Sequence, residues 1–198
     1  MSIQVITREK LSKAMTYEDY MQLFEKVVLE KSTTGPKQTE NLIHFTKLNL
    51  HRTKRVLKTF NISADAAYQI SLLPPQTWIV ITETWCGDAA HSLGVIAKMA
   101  ACNTQINLFI LLRDENLEIM DLYLTNGARS IPVLLICEGE ELIVTSRWGP
   151  RPAPLQSAFL KMKNEQLAKA EIEMFEQNWY NMDKGNTIFN EIIKMLFK

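Results

Sequence analysis

The sequence predicts an α/β fold: a small mixed sheet with helices on both faces and further helices at each end. Short apolar, β-favouring runs at residues 78–81, 106–112 and 132–137 alternate with segments of helical period. The connections between these three runs are long enough to be crossovers, which favour parallel pairing. The Glu138-Gly139 turn into residues 142–146 is short and implies an antiparallel hairpin.

Each element has its own signal. Thr16 and Asp19 have capping-box spacing with Asp in place of Glu, and Met15 is placed to staple the first turn. Tyr17, Tyr20, Met21, Phe24, Val27 and Val28 then recur at helical spacing, until Gly35-Pro36 stops the helix. A second helix spans about residues 39–60, with one apolar stripe and one basic face. Ser63 caps a third, short helix to Leu73, and Pro74-Pro75 closes the helical part. After the first strand the pattern turns helical from Cys86 to Ala100. Another helix is expected over residues 116–124, ended near Asn126-Gly127. Residues 148–152 form a rigid loop, one helical pattern runs from Leu155 to Trp179, and a last helix covers residues 187–197. The chain thus divides into a helical N-terminal extension over residues 1–75 packed on the core, an α/β domain over 76–165 and a C-terminal helical extension over 166–198.

Composition narrows the function. Of 198 residues, 22 are basic and 22 acidic, so there is no basic footprint of the kind nucleic-acid binding needs. Residues 1–75 carry 11 basic and 7 acidic groups, and the remainder 11 and 15. The densest basic run, His51, Arg52, Lys54, Arg55 and Lys58, reads as the solvated face of a helix, with a role facing the acidic second part as the alternative. The apolar runs are too short to span a bilayer, and the first ten residues lack the apolar core of a secretory signal. Three cysteines, an odd number, fit a reducing compartment. The expectation is a cytoplasmic protein with no nucleic-acid or membrane partner.

The chemistry concentrates at Trp85-Cys86-Gly87-Asp88-Ala89, where a strand ends and a helix begins. The positive end of the helix and its free N–H groups favour a thiolate, so the Cys86 thiol is expected to be acidified and nucleophilic. Gly87 lets a substrate approach the backbone, and Trp85 offers a flat apolar wall. Asp88 reads either as a first-turn acid that favours the helix N-terminus or as a general acid or base for the thiol, although its charge also repels a thiolate. Glu83 is a further possible proton acceptor, with an exposed loop acid as its plainer reading. His91 is five residues past Cys86 and does not share its helical face, while His44 and His51 are too far apart for a metal pair. No zinc or iron–sulfur cysteine spacing is present, so neither metal nor cofactor is expected.

Residues 78–160 resemble the thioredoxin superfamily. Trp85-Cys86-Gly87-Asp88-Ala89 is similar to its Trp-Cys-Gly-Pro-Cys motif. Asp114 and Asn116 are similar to its Asp-x-Asn junction. Ser130-Ile131-Pro132-Val133 is similar to its cis-proline segment, and Gly149 to the glycine bordering its substrate groove. The whole chain also resembles bacterial thioredoxin-like proteins with a helical N-terminal extension. The resemblance implies a thioredoxin-like three-layer α/β/α sandwich with a mixed four-stranded sheet. It further implies a cis Ile131–Pro132 bond, backbone at Ile131 and Pro132 presented to a substrate chain, and Trp85, Trp148 and Gly149 along the groove.

The sequence departs from that family at three positions. The resolving cysteine is Ala89, the central proline is Asp88, and the family's buried strand acid is Val80. Cys102 lies about 24 Å along the same helix and Cys137 roughly 16 Å from Pro132 along a strand, both beyond disulfide reach of about 7 Å. The resulting expectation is monothiol exchange: Cys86 attacks a protein disulfide or pairs with a low-molecular-weight thiol, and an external thiol resolves the product. A cluster bridged through Cys86 and glutathione-like thiols ranks low, because no basic pair to hold glutathione is visible. The rival is a protein- or peptide-binding module that uses the groove without turnover. The apolar C-terminal residues Phe175, Trp179, Ile188, Phe189 and Leu196 must join the N-terminal helices or form a two-fold contact, leaving monomer or homodimer open.

Overall fold

The structure, a computed structural model, describes residues 6–197. Its sheet has four strands in the order β2-β1-β3-β4: β1 (Gln76–Thr82), β2 (Ile106–Leu112), β3 (Val133–Glu138) and β4 (Ile143–Trp148). β1 runs parallel to β2, while β3 is antiparallel to both β1 and β4. This is the three-layer α/β/α sandwich with a mixed sheet and helical flanks that the sequence implies.

One pairing differs from the expectation drawn from crossover length. The connection after β2 does not bring β3 back parallel. It holds only a 3-10 turn at Arg113–Glu115 and a four-residue helix. The Asn116 side chain bonds back to the Leu112 carbonyl, and Asn126 and Gly127 both take positive φ in a tight turn, so the chain reverses before re-entering the sheet. The helix expected over residues 116–124 is therefore short, Leu117–Met120.

Nine helices surround the sheet among the described residues: α1 (Arg8–Leu11), α2 (Tyr17–Leu29), α3 (Glu40–Thr59), α4 (Ala64–Ser71), α5 (Gly87–Ala100), α6 (Leu117–Met120), α7 (Ala153–Asn164), α8 (Lys169–Asp183) and α9 (Asn186–Leu196). Thr16 and Asp19 form the capping box, and Thr39 and Ser63 cap α3 and α4. The single pattern read from Leu155 to Trp179 is two helices, because Gln166 turns left-handed and the Leu167 N–H closes on the Met162 carbonyl.

The core lies on both faces of the sheet, with Trp78, Ile79, Val80 and Ile81 of β1, which point alternately to the two faces, fully buried. α3 packs on α5 at close range: a methyl group on Gly94 would come 3.0 Å from Val56. α2 packs against β2, and α9 packs against α5. Phe189 of α9 meets Phe60 at the end of α3, and Arg55 bonds Asn181. The far C-terminus thus joins the N-terminal helices within one chain, with Ile188 and Ile192 fully buried.

Candidate functional site

Sheet register places the site. The end of β1 pairs with the start of β3, Ile81 opposite Val133, so the turn after β1 and the segment before β3 meet at one end of the two central strands. That turn carries Cys86, and the facing segment carries Ile131 and Pro132 across a cis bond. Cys86 is the N-cap of α5, and its Sγ accepts from the Ala89 N–H at 3.5 Å. The thiol donates to the Ile131 carbonyl at 3.3 Å. β4 pairs Trp148 with Leu134, which brings Gly149 onto Pro132. Gly149 has φ +111°, and any Cβ there would sit 2.2 Å from the Pro132 carbonyl oxygen.

A cleft of about 620 Å³ opens beside Cys86. Trp85, Cys86, Gly87, Asp88 and Ile131 line it. Trp148 and Gly149 lie behind it instead. Trp148 is buried, and its indole N–H donates to Glu191 of α9 at 2.7 Å. The same carboxylate accepts from the Ala153 N–H, so Glu191 fixes both ends of the loop that carries Arg151.

Electrostatics run against the expected acidification of Cys86. Burial and the neighbouring Asp88 carboxylate push its thiol up to about 12, outweighing the Ala89 N–H and Arg151. Only 7% of the residue is exposed. Removal from water costs the thiolate more than the helix terminus returns. Cys102 and Cys137 are also free, and burial raises both thiols.

Asp88 is neither a solvated first-turn acid nor turned onto the thiol. Arg151 lies 2.9 Å from one of its oxygens, and the Tyr180 hydroxyl donates to the other at 2.8 Å. Arg151 also lies 2.9 Å from Glu176, without hydrogen-bond alignment, and its guanidinium stacks on Phe159. One cation thus faces two half-buried carboxylates. Burial raises both acids, Glu176 to about 7. Asp88 has the Tyr180 donor and the helix N-terminus, so the extra proton resides on Glu176. His91 stacks on Tyr180 with ring centroids 4.2 Å apart, and burial together with Arg52 and Arg55 lowers it to about 3.

The other side of the turn is held by neutral groups. Thr84 Oγ1 meets the hydroxyls of Thr33, Thr34 and Thr46 and accepts from the Thr34 N–H. Asn49 donates to the Thr84 carbonyl at 3.2 Å. Glu83, expected as an exposed loop acid, is fully buried and accepts from the Asp114 N–H at 2.9 Å. Burial raises its carboxyl.

Sequence reasoning missed Arg52, Arg151, Glu176 and Tyr180. Arg151 sits in a Pro-flanked loop that read as merely rigid, and Glu176 and Tyr180 lie on a helix whose docking no local pattern reveals. Arg52 was grouped with the solvated basic run, of which Lys54 does pair with Glu25 at 2.6 Å. A faint signal existed: at helical period Arg52 lies among Leu48, Val56 and the other apolar-stripe positions. Among the described residues no group of three or more His, Cys, Asp or Glu could hold a metal ion, and no helix is long and apolar enough to cross a membrane.

Comparison with known proteins identifies the family and the fold. The family model described as thioredoxin matches residues 35–169, a span that includes the Cys86 turn, the Ile131–Pro132 segment and α3. The chain therefore belongs to the thioredoxin family. No curated protein matches it. A crystal structure of an HIV epitope scaffold is similar over 76% of this chain and 81% of its own, with TM-score 0.52 and 14% identity, which shows a shared fold. A protein of unknown function from Pseudomonas aeruginosa aligns over 87% of this chain and 95% of its own, with TM-score 0.49 and 13% identity.

Proposed function

We propose that this thioredoxin-family chain is a binding protein whose Cys86 cleft takes a partner without redox turnover. The observation that carries this reading is the burial of Cys86, whose thiol donates to the Ile131 carbonyl; burial and Asp88 push that thiol up to about 12. Disulfide exchange proceeds through the thiolate. Near neutral pH such a sulfur is almost entirely protonated. Ala89 supplies no second sulfur, and Cys102 lies beyond the far end of the 14-residue α5. Trp85, Gly87 and Ile131 then serve as cleft wall, with Pro132 and Gly149 setting the backbone behind it.

One observation favours the second reading, monothiol exchange. Cys86 stands against the segment before the cis Pro132, at the mouth of a cleft large enough for a small disulfide. In that reaction the Cys86 thiolate attacks a disulfide R–S–S–R′. A Cys86–S–R bond forms, R′S⁻ leaves and takes up a proton, and an external thiol later releases R.

Incubation of the full chain with oxidised glutathione or cystamine at pH 7.5, followed by mass spectrometry, separates the two. Binding without turnover leaves Cys86 unmodified over hours. Near-stoichiometric mixed disulfide at Cys86 within minutes would establish exchange instead.

A further inference from the structure

The cleft beside Cys86 is lined by six basic side chains and three carboxylates. The carboxylates are already engaged: Arg151 holds Asp88 and Glu176, and Lys169 lies 3.4 Å from Glu173. Arg113 and Arg129 pair with Asp114 and Asp121, which do not line the cleft. Two lining cations remain, Arg52 and Lys163, with no carboxylate in ion-pair reach among the described residues.

Arg52 is the informative one. It is half-buried, its Nη1 donates to Asn49 at 2.9 Å, and burial together with Arg55 one turn on outweighs the Glu173 and Asp88 carboxylates, which lie beyond ion-pair distance. A methyl group built on Gly87 would lie 3.6 Å from that same Nη1, so the guanidinium stands beside the residue that follows Cys86. A guanidinium removed from water costs free energy unless an anion faces it, and its planar fork suits a carboxylate. Phe45, Trp85, Ile131 and Phe159 give the same cleft an apolar wall. Its volume falls within the roughly 300–1,000 Å³ of small-molecule pockets.

We infer that the cleft binds a small organic carboxylate with an apolar body, and that Arg52 is the residue that selects the anion. This rests on the reading of the cleft as a binding site. Asn49 ties the selection to the fold, since it bonds both Arg52 and the Thr84 carbonyl two residues before Cys86. The partner fits between Trp85 and Phe159 with its charge toward Gly87. Lys163, exposed on α7, adds attraction at the rim.

The test is titration of the isotopically labelled full chain with 2-naphthoate and with neutral 2-naphthamide, followed by two-dimensional NMR. Naphthoate should shift the Gly87 and Asp88 amides and bind at least ten-fold tighter than naphthamide. Arg52→Ala should weaken naphthoate at least ten-fold and leave naphthamide within two-fold, while Arg52→Lys recovers part of the loss. Equal binding of acid and amide, naphthoate shifts confined to another surface, or an Arg52→Ala variant that binds naphthoate as wild type does would each overturn the inference. Should Arg52→Ala lose its dispersed spectrum, the acid-to-amide ratio on wild type decides alone. A Cys86 that forms mixed disulfides would overturn the binding reading but leave this ratio unchanged, so the two failures are distinguishable.

Discussion

On its N-terminal side the Cys86 turn is held by neutral groups, the hydroxyls of Thr33, Thr34, Thr46 and Thr84 and the Asn49 amide. On its C-terminal side it is held by ions, with Arg151 between Asp88 and Glu176 and Tyr180 closing on Asp88. The neutral clasp is buried and the ionic clasp half-buried, and both reach across long stretches of chain to the same few residues. The hydroxyl clasp meets one titratable group, the raised Glu83 carboxyl, through Thr34, whereas the ionic clasp sets one cation against two acids, and burial raises Glu176 to about 7, so its charge changes near neutral pH. The ionic clasp also supplies the carboxylate that, with burial, keeps Cys86 protonated.

The largest effect should come from removing the shared cation. Arg151→Met leaves two part-buried carboxylates without their cation; breaking a fully buried pair costs about 3–5 kcal/mol, which is the upper bound for this site. Urea unfolding at pH 7.5 should show a loss of about 2–4 kcal/mol, smaller at pH 5, where protonation relieves the acids. A loss under about 1 kcal/mol would mean that the network is solvated and the contrast between the clasps is wrong.

Thr84→Val tests the neutral side. It keeps the shape but leaves the buried Thr34 N–H without an acceptor, at a cost of about 1–3 kcal/mol. The loss should change less between pH 5 and pH 7.5 than that of Arg151→Met, because the titratable group on this side is Glu83, which Thr34 meets. A larger change would show that the Glu83 carboxyl controls the hydroxyl cluster.

The smallest effect concerns the proton on Glu176. Its carboxyl is raised from the ordinary 4.5 to about 7, so the folded chain holds a proton that the unfolded chain releases between those values. Stability is therefore fullest below about 4.5 and falls as pH rises through about 7. Asp88 and Glu83, both raised by burial, act in the same direction. His91, lowered to about 3, acts in the opposite direction below 6.5, so the window is pH 6.5 to 7.5, over which thermal unfolding of wild type should show the lower midpoint at pH 7.5. Glu176→Gln, neutral at both, should narrow the difference, and an unchanged difference would place the proton elsewhere.

These clasps also mark the limit of what was legible in the sequence. Caps and turns were legible because they are local: the box of Thr16 and Asp19, Ser63 before α4, and the hairpin near Gly139 are set by residues within a few positions of each other. The strand runs were legible because burial on both faces leaves continuous apolar stretches, as in 78–81. Burial of polar groups was not legible. Glu83 and Asp88 look like ordinary loop and first-turn acids until α3, α8 and the Arg151 loop close over them. For the same reason Cys86 was expected to be acidified: its helix-terminal position can be read from the chain, but the dry surroundings that reverse the effect come from residues up to about 90 positions away.

The most direct measurement is the rate of Cys86 alkylation by iodoacetamide against pH, read by peptide mass spectrometry so that Cys102 and Cys137 are scored separately. A buried thiol pushed up to about 12 should label negligibly near pH 7 and gain rate continuously up to the highest pH at which the chain stays folded. Rapid labelling with a midpoint at or below about 8.5, the value of a free thiol, would contradict the claim that this cleft binds without redox turnover.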